Sequence, residues 1–235
     1  MLTSDFIALL ITFIVSLIWL RLNDYAAHKG WISGELSRKL IHIGTGPIFV
    51  LCWLIFPNST NSKYIAALVP LAITLQFFLV GIGVLRDESA VQAMSRTGDP
   101  REILRGPLYY GLVFVLITIL FWYDSPTGIV ALMLMCGGDG LAGILGKRYG
   151  KSHIPWNPRK TWIGSIAMLS GGLILSLVIL AIYISTGIFD TTLVNLIPAI
   201  LIISLLATIV ETLPLPDIDN ITVTATAVLL GYFLF

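Results

Sequence analysis

The run ALMLMCGGDGLAGILGKRYGK sets one carboxylate, Asp139, near the end of an apolar stretch, with Gly137, Gly138 and Gly140 around it and Gly143 and Gly146 beyond. A charged carboxylate in such a setting is costly unless it is paired, hydrated or bound to a metal. The glycines permit close backbone approach, either to another helix or to a phosphate. Gly138, Gly140 and Gly143 spell GxGxxG, but an apolar span precedes them rather than a strand, so a dinucleotide fold is set aside. A Walker A loop fails as well, because Gly140 and Gly146 are one residue too far apart and Arg148 stands where Ser or Thr is needed.

Further along, PWNPRKTWIGS puts Lys160, Thr161 and Ser165 at or just inside an expected helix N-terminus, after Pro158. An ammonium, two hydroxyls and the N–H groups of a helix start can hold a phosphate, or Thr161 can simply cap the helix. In ELSRKLIHIGTG, Glu35, Arg38, Lys39, His42 and Gly46 follow one another at +3, +4, +7 and +11 and form a polar stripe. Arg38 and Lys39 can serve as interfacial anchors, whereas His42 lies about one turn inside an apolar span, where ionisable groups face a bundle interior. The loop SRTGDPREILRGP adds Asp99, Arg101, Glu102 and Arg105, and ETLPLPDIDN adds Glu211, Asp217, Asp219 and Asn220, the last able to cap a helix.

Carboxylates bind Mg²⁺, whereas Arg, Lys and helix N-termini bind phosphates. Phosphoryl transfer requires positioning and charge neutralisation from such parts.

These residues need a scaffold, and composition names its class. Of 235 residues, 57% are hydrophobic and 11% charged, against roughly 25% charged in an average soluble domain. The mean hydropathy is +0.92. A soluble globule, a disordered chain and a disulfide scaffold are excluded. The expectation is an all-α polytopic membrane bundle of seven to eight spans, organised as one domain over 1–235. The eight apolar runs are 6–20, 40–56, 64–85, 108–122, 128–145, 163–185, 193–210 and 221–235. The first has no basic stretch before it and no cleavage site after it, so it is expected to be retained. The lack of a Ser- and Arg-rich transit segment favours a prokaryotic chain or a mature form. Cys52 and Cys136 lie in apolar runs without CxxC spacing and are expected to pack as small apolar residues.

The net charge is only +1, but its distribution is uneven. Thirteen of the fourteen Lys and Arg residues fall on odd-numbered loops; Lys63 is the exception. The positive-inside rule makes that side cytoplasmic. All three histidines (His28, His42 and His153) and ten of the thirteen acids share it, leaving Asp5, Asp124 and Asp190 opposite. The expected active site therefore opens to the cytoplasm. A transporter would instead carry its polar groups near midplane, at broken helices in repeated halves.

The segments RKLIHIGTG, SRTGDPREILRGPLYY, CGGDGLAGILGKRYGKSHIPWNPRKTWIGSIAM and ETLPLPDIDNITV resemble the polyprenol kinase family, which includes phytol kinase, dolichol kinase and CTP-dependent diacylglycerol kinase. The likeness runs from Arg38 to about Val223 and looks most similar to phytol kinase. It departs at Gly143, where phytol kinases often carry a second acid, and at Thr224, where a proline is often found.

The resemblance implies CTP as phosphoryl donor, Mg²⁺, and phytol or geranylgeraniol as acceptor. It implies catalytic roles for Asp139, His42 and Lys160. Phosphate or nucleotide contacts would fall to Arg38, Lys39, Arg105, Gly140, Lys147, Thr161, Gly164, Ser165 and Asn220. Metal contacts would fall to Asp139, Asp219 and Glu211. Partners are the membrane lipid or prenol and the nucleotide, with no nucleic acid. A prokaryotic inner membrane, or a thylakoid one, is the expected location. Alternatives are a dolichol, polyprenol or diacylglycerol kinase, or a CTP:phosphatidate cytidylyltransferase.

Overall fold

The computed structural model describes residues 2–95, 97–215 and 218–235, so Arg96 and Asp217 from the charged loops lie outside the described residues. The chain divides into two compact units, residues 1–41 with 48–120, and residues 42–47 with 121–235.

The first unit contains α1 (Leu2–His28), most of α2 (Gly34–Trp53), α3 (Ser62–Gly81), α4 (Glu88–Met94), a 3₁₀ turn (Pro100–Leu104) and α5 (Gly106–Phe121). α1 packs on α3. The buried carboxylate of Asp5, 2% exposed, accepts a 2.7 Å hydrogen bond from Ser62 Oγ, which answers the cost of burying it. Ser33 starts α2 by accepting from Leu36 N–H, and Asp99 starts the 3₁₀ turn by accepting from Arg101 N–H.

The second unit is built around one nearly continuous helix: α6 (Pro126–Met133), a π turn (Leu134–Gly138) and α7 (Asp139–Tyr149). Ser125 caps it and Pro126 occupies its first turn, where a missing N–H costs nothing. Every residue from Thr127 to Gly138 is buried. The neighbours are α8 (Trp162–Ser185), α9 (Leu193–Glu211) and α10 (Asp219–Leu234). The approach to α8 is close because both sides are glycine. A Cβ at Gly171 would come 2.9 Å from the Gly137 carbonyl oxygen and 2.6 Å from Leu141 Cδ1.

Among the described residues, six helices are long and apolar enough to cross a membrane. Helices exist at all eight expected runs. However, α2 carries Glu35, Arg38 and Lys39 in its first turns, and α10 is only 16 residues long. One element departs from the all-α expectation. β1 (His153–Ile154) and β2 (Asn157–Thr161) form an antiparallel hairpin just before α8. Pro155 and Pro158 deny this segment helical N–H donors, so Lys160 lies in a strand rather than inside a helix start.

Candidate active site

The π turn decides how Asp139 is presented. In an α-helix, Asp139 N–H would bond to the Met135 carbonyl, four residues back. Here it reaches Leu134 O and Cys136 O, and the Met135 carbonyl faces His42 instead. His42 Nε2 donates to Met135 O at 3.0 Å and lies 3.4 Å from Asp139 Oδ2. Because a carbonyl can only accept, the proton sits on Nε2. His42 therefore gives its Nε2 hydrogen to Met135 O and is not a base at that nitrogen, while Asp139 Oδ2 lies beside it. Both side chains are mostly buried, 18% and 15% exposed. Gly140 permits this contact, since a Cβ there would run into Ile43, one residue after His42.

Strand β2 brings Lys160 to the end of α9. Its ammonium pairs with Glu211, whose side chain is 2% exposed, and lies 3.7 Å from Asp219 Oδ2 at the start of α10. Burial alone would lower the Lys160 pKa, but the carboxylates of Glu211, Asp139 and Asp219, together with the Glu211 hydrogen bond, hold it above the usual lysine value. Asp139, Glu211 and Asp219 thus act on one cation, although they are 72 and 8 residues apart along the chain. Asp219 also sits in the first turn of α10, where the helix dipole favours a negative charge.

The other expected residues divide between several environments. Thr161 caps α8, its Oγ1 accepting from Gly164 N–H at 3.1 Å, so that donor is already used. A Cβ at Gly164 would meet Ala142 O at 3.3 Å, so this glycine serves packing against α7. Ser165, one turn into α8, has a buried Oγ with no hydrogen-bond partner among the described residues. Asn220 is buried in the first turn of α10, next to Asp219. Lys147 lies exposed in the last turn of α7. These residues, with His42, belong to the second unit. Arg38, Lys39 and Arg105 belong to the first, where Arg38 Nη1 donates to Ser95 O at 3.0 Å and Arg105 follows the 3₁₀ turn.

Mg²⁺ is commonly held by one or two carboxylates, with phosphate and water completing its octahedron. Among the described residues no group of three His, Cys, Asp or Glu side chains forms a cage on its own. Of the three carboxylates near Lys160, Asp219 at 34% exposed and Asp139 at 15% present more surface than Glu211, which is enclosed against Lys160.

Three local features escaped the sequence reasoning: the π turn, the hairpin, and a clamp from Trp156 and Asn157 to Thr212 and Leu213. The Gly137-Gly138 pair was the available signal for the first and the Pro155/Pro158 spacing for the second. Asn157 gave none, being neutral.

No family model and no solved structure matches the chain. Curated relatives do. A probable phytol kinase from Zea mays is 38% identical over 217 residues, covering 92% of this chain and 72% of its own. Phytol kinase 1 from Arabidopsis thaliana is 40% identical over 206 residues, covering 87% and 68%. Farnesol kinase from the same plant is 37% identical over 234 residues, covering 99% and 76%. All three are named as chloroplastic, which lends no support to a prokaryotic inner membrane. With this identity over most of both sequences, the chain is an integral membrane protein of the polyprenol kinase family, a phosphotransferase with an alcohol acceptor.

Proposed function

We propose that the chain transfers the γ-phosphoryl group of CTP to the hydroxyl of an isoprenoid alcohol, phytol or geranylgeraniol, and releases CDP and the prenyl monophosphate. The observation that carries this reading is the convergence of Asp139, Glu211 and Asp219 on Lys160, with His42 against Asp139. Relatives named for phytol and farnesol support the acceptor class. The reading treats residues 1–235 as one kinase domain, with α2 and α10 as further crossings. Its site lies on the face of the basic loops, cytoplasmic by the positive-inside rule.

In this scheme the prenol hydroxyl oxygen attacks the γ-phosphorus and the bond to the β-bridging oxygen breaks. Asp139 takes the hydroxyl proton, while His42, 3.4 Å away through Nε2, keeps that carboxylate oriented. Lys160 neutralises charge on the phosphates. Ser165 Oγ, which is buried, offers a phosphate donor at the start of α8. Of the second unit, Lys147, Thr161 and Asn220 are assigned to the nucleotide. Mg²⁺, when bound by Asp139 and Asp219, would supply further charge neutralisation on the phosphates.

The test is a purified-enzyme assay crossing four nucleotides with phytol, geranylgeraniol, a long polyprenol and diacylglycerol. Label from the γ-phosphate of CTP is expected in phytol or geranylgeraniol. Lipid labelled only from the α-phosphate would replace the kinase with a cytidylyltransferase.

A further inference from the structure

The hairpin that carries Lys160 is too short to hold itself. β1 has two residues and β2 five, with an irregular register between them. Its fixed point lies at the opposite end of β2. Asn157, 5% exposed, donates through Nδ2 to Thr212 O at 3.1 Å and Leu213 O at 3.2 Å. Its Oδ1 accepts from Arg159 N–H at 3.2 Å. Next to it, Trp156 Nε1 donates to Thr212 Oγ1 at 3.0 Å.

Thr212 and Leu213 immediately follow Glu211, the last residue of α9. A helix end leaves its final carbonyls without intrahelical donors. Asn157 therefore supplies, from another element, a donor to Thr212 O at the C-cap of α9 and a second one to Leu213 O, which also accepts from Leu215 N–H at 2.8 Å. Three residues later the same strand delivers Lys160 to Glu211. The strand is tied to α9 at both ends, once by neutral hydrogen bonds and once by the ion pair.

We propose that Asn157 is a positioning residue: by capping the end of α9 it fixes the spacing between β2 and α9, and it acts on catalysis only through Lys160. The carboxamide suits this task because one planar group carries two N–H donors and an acceptor. An aspartate in its place would aim a carboxylate at two carbonyl oxygens, with no donor for either. The proposal rests on the role given to Lys160 in the kinase reading.

The test uses the full chain in nanodiscs, with Asn157→Asp, Lys160→Ala and the double variant. Two quantities are read: the rate of Lys160 acetylation by an N-hydroxysuccinimide ester, followed by peptide mass spectrometry, and kcat with KM. Asn157→Asp is expected to speed acetylation and lower kcat by about tenfold each, with KM for the prenol unchanged. The double variant is expected to be no slower than Lys160→Ala alone, since residues acting as a unit are not additive. Unchanged acetylation, or losses that add, would overturn the proposal.

If Asn157→Asp does not fold, Trp156→Phe removes a single hydrogen bond, and roughly two- to threefold changes in the same quantities decide the matter. Acetylation requires no turnover. A wild-type chain inert towards every prenol would therefore sink the kinase reading and leave the clamp to be judged on labelling alone.

Discussion

The spans Ser4–His28 and Pro126–Tyr149 are nearly equal in length, 25 and 24 residues, and both are apolar enough to cross a bilayer. Only 22% of the most apolar window of the first is buried, against 72% of the second. In α1 the apolar side chains are largely outward-facing, with Phe6, Ile7, Leu10 and Leu22 each about three-fifths exposed. In the other span, Ile129 to Cys136 are wholly buried. The difference teaches that hydrophobicity has two causes in this chain. In α1 it suits a lipid solvent. In α6 to α7 it makes a rigid rod around which the second unit is packed. Each span also holds an acid away from open solvent, Asp5 at 2% exposed in the first and Asp139 at 15% in the second. Asp5 is answered by a serine hydroxyl, whereas Asp139 faces a histidine and acts on a lysine.

Breaking that contrast at its sharpest point means neutralising the two acids in turn. Asp139→Asn is expected to lower kcat by roughly 10²- to 10⁴-fold, the range of a lost general base, with little change in melting temperature. Asp5→Asn is expected to leave kcat nearly untouched. Comparable losses from the two would remove the distinction between a structural and a catalytic acid.

Next comes the partner of Lys160. With Glu211→Gln, burial loses its main opponent and the Lys160 pKa falls. In the wild type that pKa is raised above the unfolded value. The ion pair's contribution is thus fully present below the unfolded pKa and fades only as pH rises through the folded one. The variant should lose activity by about 10- to 100-fold at neutral pH, and the alkaline limb of its pH–rate profile should move towards neutrality. An unmoved limb would detach Lys160 from the titration.

Packing supplies the smaller effects. Gly171→Ala presses a methyl group towards the Gly137 carbonyl oxygen and should cost about 1–3 kcal/mol, read as a fall in melting temperature. Leu10→Ala, at a 60% exposed position of α1, should stay within about 0.5 kcal/mol. A reversal of this order would mean that α1 carries more of the packing than its exposure indicates.

These contrasts also explain what the sequence made legible. A helix stands at each of the eight apolar runs, and six helices among the described residues are long and apolar enough to cross a membrane, because a membrane span needs about 20 apolar residues wherever it lies. Their ends were less visible: α1 continues through RLNDYAAH to His28, since a helix persists past the apolar run that begins it. Asp139 stood out because burying a carboxylate is expensive, and Glu211 only as one of the acids in a loop without Lys or Arg. Their meeting at Lys160 did not, since Lys160 and Glu211 are 51 residues apart and joined through a hairpin too short to show a period of two. Asn157, uncharged and set between Trp156 and Pro158, carried no such flag.

The π turn at Leu134–Gly138 makes residue count, and not only residue type, a requirement of this span. Deleting one residue there would let the rod close into an uninterrupted α-helix. The turn absorbs its extra residue locally, so the helix on either side would keep its facing and hydropathy along the span would hardly change. What would go is the wide turn itself: the Met135 carbonyl, which now faces His42, would be taken up by the N–H four residues further on. A one-residue deletion is therefore a selective way to remove the His42 acceptor from a span that otherwise stays as it is.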